Sequence, residues 1–361
     1  MSKTFLYISL LLALMGCSNE NGPKEKELDL ENLCVSFDSE VFYKTTVSSR
    51  AGVIETVYLP QGHTVGIYAL KTQWEEDDYG QPAVIQATWA NENIQENFNN
   101  EPYVSAGSSK ILKNGNPGKF PPYKNSAMNF YAYSPYSPTI IYDPELSTPK
   151  APRLEVVINE NMATTEDYLY TGRVDKIPTG EVTTVNLPFK HALTRLNFKV
   201  FTNDVKYTDQ SCPKLKKIQV NTNNHQGGYL NIYDGSIETS EGNNNTFEYI
   251  LQNPYTIIES KKGDDTNIGA DFLLIPGNNV IYSIILTIDD ENGEEHAYTA
   301  YSYYPSETDP KNLSKNTIHT VSIEYNERAN FTCSIQDWEI TEYGKEENEK
   351  IEIDENDIIE P

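Results

Sequence analysis

Two short stretches contain residues suited to covalent processing. Leu14, Met15, Gly16 and Cys17 end an uncharged apolar run, residues 4–16, that follows Lys3. A small residue before a cysteine is the pattern at which a bacterial signal peptide is removed and the cysteine is lipidated. The run is shorter than the roughly 20 residues that a spanning helix needs, so it predicts an export signal rather than a membrane anchor.

The second stretch is YKTTVSSRAGVIET, residues 43–56, in which Arg50 stands among small residues. A protease specific for arginine would cut there and leave Ala51 as the new N-terminus. An ordinary exposed arginine is the alternative that the residues by themselves leave open.

The chain shows no pattern typical of an enzyme. Its five histidines are scattered without the HExxH spacing, and no GxSxG nucleophile motif occurs. The acidic segments at 75–80 and 289–295 lack the spacing of an EF-hand, so they are interpreted as solvated loop tips. Catalytic, cofactor-binding and metal-binding residues are therefore not predicted.

Three cysteines follow Cys17, and they form neither a disulfide framework nor a zinc motif. Cys212 and Cys333 could form a disulfide bond or remain as buried thiols, and the sequence leaves both alternatives open. The chain has 28 Lys and Arg against 53 Asp and Glu, a net charge of −25. Such a charge excludes nucleic acid as a partner and is typical of a solvated secreted protein.

Apolar residues alternate with a period of two in several segments, which predicts an all-β fold built from antiparallel sandwiches. The alternation predicts buried rows in three segments: Leu196, Phe198 and Val200; Val280, Tyr282, Ile284, Leu286 and Ile288; Val321, Ile323 and Tyr325. In the tyrosine-rich segment at 129–138, Phe130 and Ala132 should face one way while Tyr131 and Tyr133 face the other. Residues 74–125 are rich in Asn, Gly, Pro and Glu, and are predicted to form long loops with one helical turn.

The alternation is longest just before Arg50. From residue 33 to residue 47 the odd positions read Leu, Val, Phe, Ser, Val, Tyr, Thr, Val, which predicts a strand with one buried face. A cut after Arg50 would then detach a strand from the fold.

These segments, taken in order, resemble the fimbrillin-like family, the subunits of type V pili of Gram-negative anaerobes. The resemblance covers about residues 10–340 and is carried by the lipobox at Cys17, SSRAG, GHTVGIYAL, MNFYAYSPY, TTEDYLYTG, LPFKHALTRLNFKV, DFLLIPGNNVIYSIILTI, NTIHTVSIEYN and CSIQDWEI. It implies two tandem transthyretin-like β-sandwich domains in a lipoprotein precursor of the outer membrane. It also implies that an arginine-specific maturation protease cuts after Arg50, and that the subunit then joins other pilus subunits by strand exchange in an extracellular pilus that serves adhesion.

The predicted organisation has five parts: a signal peptide at 1–16, a propeptide with a removable first strand at 17–50, an N-terminal domain at 51–185, a C-terminal domain at 186–338, and an acidic tail at 339–361. In the tail, Ile351, Ile353, Ile358 and Ile359 are the candidate donor-strand residues. A solvated tail is equally compatible with its acidic side chains. The alternative function is a surface lipoprotein that keeps its lipid at Cys17 and binds glycans through exposed tyrosines.

Overall fold

The computed structural model describes residues 29–41, 54, 56–113, 118–142, 150–202, 212–239, 244–257, 267–277, 281–290, 292–301, 313–326 and 332–342. Within these ranges the regular structure is almost all β, as the alternation predicts. The helical pieces are short 3-10 turns at Leu30–Asn32, Asn91–Asn93 and Met162–Thr164.

Ten strands precede residue 192: β1 (Cys34–Val41), β2 (Thr64–Glu76), β3 (Pro82–Val84), β4 (Ile94–Ser105), β5 (Lys110–Leu112), β6 (Ser126–Ser134), β7 (Arg153–Val157), β8 (Leu169–Tyr170), β9 (Val174–Lys176) and β10 (Val182–His191). Their main sheet runs β3-β2-β4-β5-β1-β10-β8-β6-β9. Because β2 also pairs with β6, the strands between them form a closed ring around an apolar core.

Ten strands follow: β11 (Thr194–Phe201), β12 (Lys214–Thr222), β13 (Gly227–Asn231), β14 (Ile237–Glu238), β15 (Asn245–Thr256), β16 (Asn267–Leu274), β17 (Ile281–Asp289), β18 (Glu295–Tyr301), β19 (Thr317–Asn326) and β20 (Thr332–Glu342). Two four-stranded sheets form here, β16-β11-β19-β20 and β15-β12-β17-β18. Ring contacts join them, with Tyr249 against Phe272 at 6.4 Å and Tyr298 against Tyr325 at 5.3 Å. The expected β-sandwich is thus confirmed.

A small third sheet links the two halves of the chain, because β7 pairs with β13, which pairs with β14. One apolar cluster accordingly contains residues of both halves, among them Tyr131 and Leu196. Residue 185 lies inside β10, and the division into domains at that position stays a prediction.

Two of the strand pairings are parallel, and they place β1 and β11 alike. β1 lies between the parallel β10 and the antiparallel β5, and β11 lies between the parallel β19 and the antiparallel β16. Each is the first strand of its half of the chain, and each is paired on both sides.

Most predicted buried rows are confirmed: Leu196, Phe198, Val200, Val321, Ile323 and Tyr325 are all fully buried. The prediction for β17 is right at Ile284, Leu286 and Ile288 but wrong at Tyr282, which is 44% exposed, and Val280 lies outside the described residues. The register against β12 shifts between Ser283 and Ile281. This bulge reverses the facing of the side chains that precede it.

Two further predictions concern loops. The acidic turn after Asp289, interpreted from the sequence as a loop tip, joins β17 to β18 as a hairpin. Residues 74–125 do contain the helical turn at Asn91–Asn93, but the long-loop prediction is wrong, because β4 occupies twelve residues of this segment. Only four residues of β4 are buried, so its sequence looks like a loop.

Candidate functional site: the position of the first strand

The first strand is paired along its whole length. All eight residues of β1 pair in parallel with Val182–Phe189 of β10, and Phe37 and Asp38 pair with β5. Residues before and after β5 extend that second edge through three main-chain hydrogen bonds: Val35 N–H to Gly118 O at 2.9 Å, Phe120 N–H to Leu33 O at 3.0 Å, and Ser39 N–H to Ser109 O at 2.6 Å. A fourth bond, from Val41 N–H to Val57 O at 2.8 Å, joins the end of β1 to the segment after residue 53. Removing β1 would leave both edges without a partner.

The inward face of β1 is the predicted odd-numbered row. Leu33, Val35, Phe37, Ser39 and Val41 are each at most 5% exposed, whereas the even-numbered residues are partly or fully exposed. The four large apolar side chains each contribute roughly 1.5–3 kcal/mol by burial. The prediction is therefore confirmed for the part of residues 33–47 that the structure describes.

Phe37 is the centre of this face. Its ring meets Phe98 at 5.8 Å, Tyr103 at 5.2 Å and Phe130 at 5.5 Å, all nearly edge to face. Burial raises the pKa of Tyr103 above its ordinary value, with a smaller contribution from Glu101. These rings form an aromatic pocket that a strand must fill.

The outward face of β1 contributes little to holding it. Lys110 pairs with Asp38 at 2.5 Å, but the two side chains are 55% and 22% exposed. Solvent-exposed pairs of this kind typically contribute less than about 1 kcal/mol. The strand is held mainly by main-chain hydrogen bonds and apolar burial, which any strand of matching pattern can supply.

A buried ionisable pair, Asp167 and His191, lies beside Ile54, the first described residue after the predicted cut. The N–H of Ile54 donates to Asp167 Oδ2 at 3.0 Å, and His191 Nδ1 lies 2.8 Å from the same oxygen. Sequence reasoning missed these residues as a pair. Their signal was an ionisable residue at the start of a short apolar stretch in two of the quoted motifs, TTEDYLYTG and LPFKHALTRLNFKV.

The sequence-predicted processing and donor residues lie outside the described ranges: Cys17, Arg50, Ala51, Ile351, Ile353, Ile358 and Ile359. Their roles stay predictions. The structure does describe the nearest residues on each side of the predicted cut, Val41 and Ile54.

The cysteine alternatives also stay open. Cys212 is buried, and the side chain of Cys333 lies outside the described part of the chain.

Two tyrosines of the segment 129–138, Tyr131 and Tyr133, lie inside the fold. All nine residues of β6 are buried, with Phe130 and Ala132 in the core that β1 covers and Tyr131 and Tyr133 in the core shared by the two halves. The predicted alternation is right, but both faces of the strand are covered. Residues 131 and 133 therefore offer no exposed platform for a sugar.

In the part of the chain that the structure describes, one group away from β1 has residue types suited to metal binding. Asp290, Glu294 and His296 have side-chain ligand atoms within 4.8 Å of one another at the β17–β18 turn. Asp290 Oδ1 accepts the backbone N–H groups of Glu294 and Asn292, and these bonds lower the pKa of its carboxyl group. The carboxylate thus stabilises the turn itself.

Among the described residues, no helix has the length and apolar character that crossing a membrane requires. The fold, with its first strand paired on both sides, is that of a β-sandwich protein. A family model described as fimbrillin-like matches residues 46–338, and the chain belongs to this family.

The chain is similar to several solved structures. A proposed cell adhesion protein of Bacteroides uniformis is 16% identical, with a TM-score of 0.53 over 86% of this chain and 98% of its own. Another, from Bacteroides ovatus, is 13% identical, with a TM-score of 0.48 over 87% and 98%. A fimbrial protein of Bacteroides ovatus is 12% identical, with a TM-score of 0.35 over 82% and 49%. No curated protein sequence matches the chain.

Proposed function

We propose that the protein is a structural subunit of a type V pilus, exported as a lipoprotein precursor and matured by a cut after Arg50. The observation that carries the proposal is the position of β1. It is a fully paired inner strand, yet within the chain it is joined to the rest of the described fold only through residues 42–53, which contain Arg50. A single cut there separates an essential strand from everything that follows it.

Loss of β1 would leave a first-strand groove, bounded by β5 and β10 and floored by Phe98, Tyr103 and Phe130. Unpaired strand edges beside an apolar floor are a strong template for an added strand. Main-chain hydrogen bonds would supply affinity, and alternate side chains in the pockets would set the register. Passing a strand from subunit to subunit is a head-to-tail contact, which propagates as an open filament.

In this proposal the donor is the acidic tail of a neighbouring subunit. Ile351 and Ile353 alternate with acidic residues, as a strand with one buried face requires. A chain lacking residues 343–361 should then accept a strand without donating one, and should cap assembly instead of extending it. Extension by the shortened chain at the normal rate would assign the donor to another segment or subunit.

The central test is cleavage of the full precursor, purified in detergent, with an arginine-specific protease. Intact mass should show a product that begins at Ala51, and light scattering should show that this product assembles. The Arg50→Lys variant is the matched control, since it keeps the charge and removes the site.

Two outcomes contradict the proposal: a precursor that is not cut at Arg50, and a cut product that stays monomeric. Cell-surface protein whose mass still begins at a lipidated Cys17 would favour the anchored glycan-binding lipoprotein instead.

A further inference from the structure

We propose that Asp167 and His191 form a latch that fixes the start of the mature chain at Ile54 and keeps it out of the first-strand groove. This inference rests on the proposed function, because it assigns the latch a task after β1 has been removed.

The latch is buried and anchored on one oxygen. Asp167 Oδ2 accepts the Ile54 N–H at 3.0 Å and lies 2.8 Å from His191 Nδ1, while the two side chains are 0% and 1% exposed. Asp167 Oδ1 is buried without a hydrogen-bond partner. Hydrogen bonds to a buried carboxylate are stronger than those between neutral groups, and breaking one leaves a costly unsatisfied group.

The latch residues lie on elements that a cut at Arg50 leaves in place. Asp167 lies two residues before β8, and His191 is the last residue of β10, where it pairs with Leu169. The His191 N–H also donates to Asn316 Oδ1 at 3.2 Å, so the second half of the chain supports the pair. The latch can therefore survive processing unchanged.

The segment that the latch holds is the nearest competitor for the groove. Ile54 is 3% exposed and belongs to the same apolar cluster as the inward row of β1. Val57 and Tyr58 follow it, 50% and 42% exposed, and Val57 O loses the Val41 N–H when β1 leaves. A tethered apolar segment has a high effective concentration, so a loose one would occupy the groove before a neighbour's strand could.

Hydrogen exchange of the Ile54 amide tests the latch directly, in the intact precursor and in the cut protein. The variants are His191→Gln and Asp167→Ala. The matched control is His319→Gln, since His319 is equally buried but contacts Thr317 rather than Ile54. We expect about tenfold faster exchange at Ile54 in both variants, with unchanged protection in β17.

Capture of a synthetic peptide with the sequence of residues 33–47 tests the consequence in the cut protein. Both variants should capture it about fivefold more slowly than the wild type, because their own N-terminal segment competes for the groove. Should Asp167→Ala fail to fold, His191→Gln decides the result.

Unchanged protection of Ile54, or lost protection with normal peptide capture, overturns the latch. If the proposed function itself were wrong, the same experiments would give a different result. In that case the cut wild-type protein would capture no peptide at all, while exchange in the precursor would still report on the contacts of Ile54.

Discussion

At the scale of single residues, the fold contains several ionisable groups whose pKa values are shifted by burial. His319 is 1% exposed, and burial lowers the pKa of its imidazole from 6.5 to about 4. The folded state therefore keeps the ring neutral at pH values where the unfolded chain binds a proton. The stabilising contribution of the neutral His319 is fully present above about pH 6.5 and is lost as the pH falls towards 4.

His319→Gln should remove this pH dependence. Between pH 7.0 and pH 5.3 the wild-type precursor should lose about 1.5 kcal/mol of unfolding free energy through this residue, and the variant should not. Urea unfolding at the two pH values, both above the isoelectric point near 4.5, measures the difference. The half-buried His63 provides the control His63→Gln, and an equal loss in wild type and His319→Gln would contradict the assignment.

At the scale of elements, β1 and β11 occupy similar positions but are held differently. Arg195 of β11 binds Asp271 of β16 through two contacts of 2.7 and 2.9 Å, and the side chains are 1% and 0% exposed. Within the described part of the chain, the ion pair of β1 is the exposed one of Asp38 and Lys110. A buried ion pair thus holds β11 to its neighbour, whereas the described ion pair of β1 is exposed.

Arg195→Met should lower the free energy of unfolding by about 3–5 kcal/mol, because it leaves Asp271 as a buried charge without its cation. The double variant Arg195→Met, Asp271→Leu should recover most of that loss. Lys110→Met is the matched control at the surface and should change stability by less than about 1 kcal/mol. Urea unfolding of all three variants gives the comparison, and equal effects at the two sites would refute the distinction.

The Phe37→Ala substitution should affect the stability of the precursor but not that of the mature subunit. The variant should destabilise the precursor by about 3–5 kcal/mol, since it empties the aromatic pocket. After a cut at Arg50 the variant and wild-type subunits have identical sequences, so their stability and assembly should be the same. Phe130→Ala lies in the same pocket but stays with the chain, and it should weaken both forms. A difference between the Phe37→Ala and wild-type products after cutting would mean that β1 is retained.

At the scale of the whole molecule, charge opposes association. The chain has a net charge of −25, most of it after residue 50, so like-charged subunits repel as they meet. Salt should relieve this repulsion.

Assembly of the cut protein should accelerate when sodium chloride rises from about 20 to about 300 mM, because the Debye length falls from roughly 20 Å to roughly 6 Å. Light scattering against time measures the rate, and peptide capture by the same protein controls for changes in the groove. A rate that falls with salt would indicate attraction between complementary patches.

The sequence by itself was sufficient to predict the all-β class, the family and the inward row of β1. Each of these depends on local alternation or on the order of motifs along one chain, and the side chains of a strand alternate whatever lies beside it. Which faces are covered was decided only by the tertiary structure. Tyr131 and Tyr133 are buried because a second core packs on β6. Tyr282 is exposed because β17 contains a bulge where it pairs with β12.

The meeting of Ile54, Asp167 and His191 is likewise a tertiary result. These residues lie far apart in the sequence, and no local period relates them. They come together because β8 pairs with β10, which positions Asp167 beside His191 and within hydrogen-bond distance of the Ile54 N–H. The sequence predicted the strand that a cut at Arg50 would detach, and the tertiary structure supplied the contacts of Ile54, the first described residue after that position.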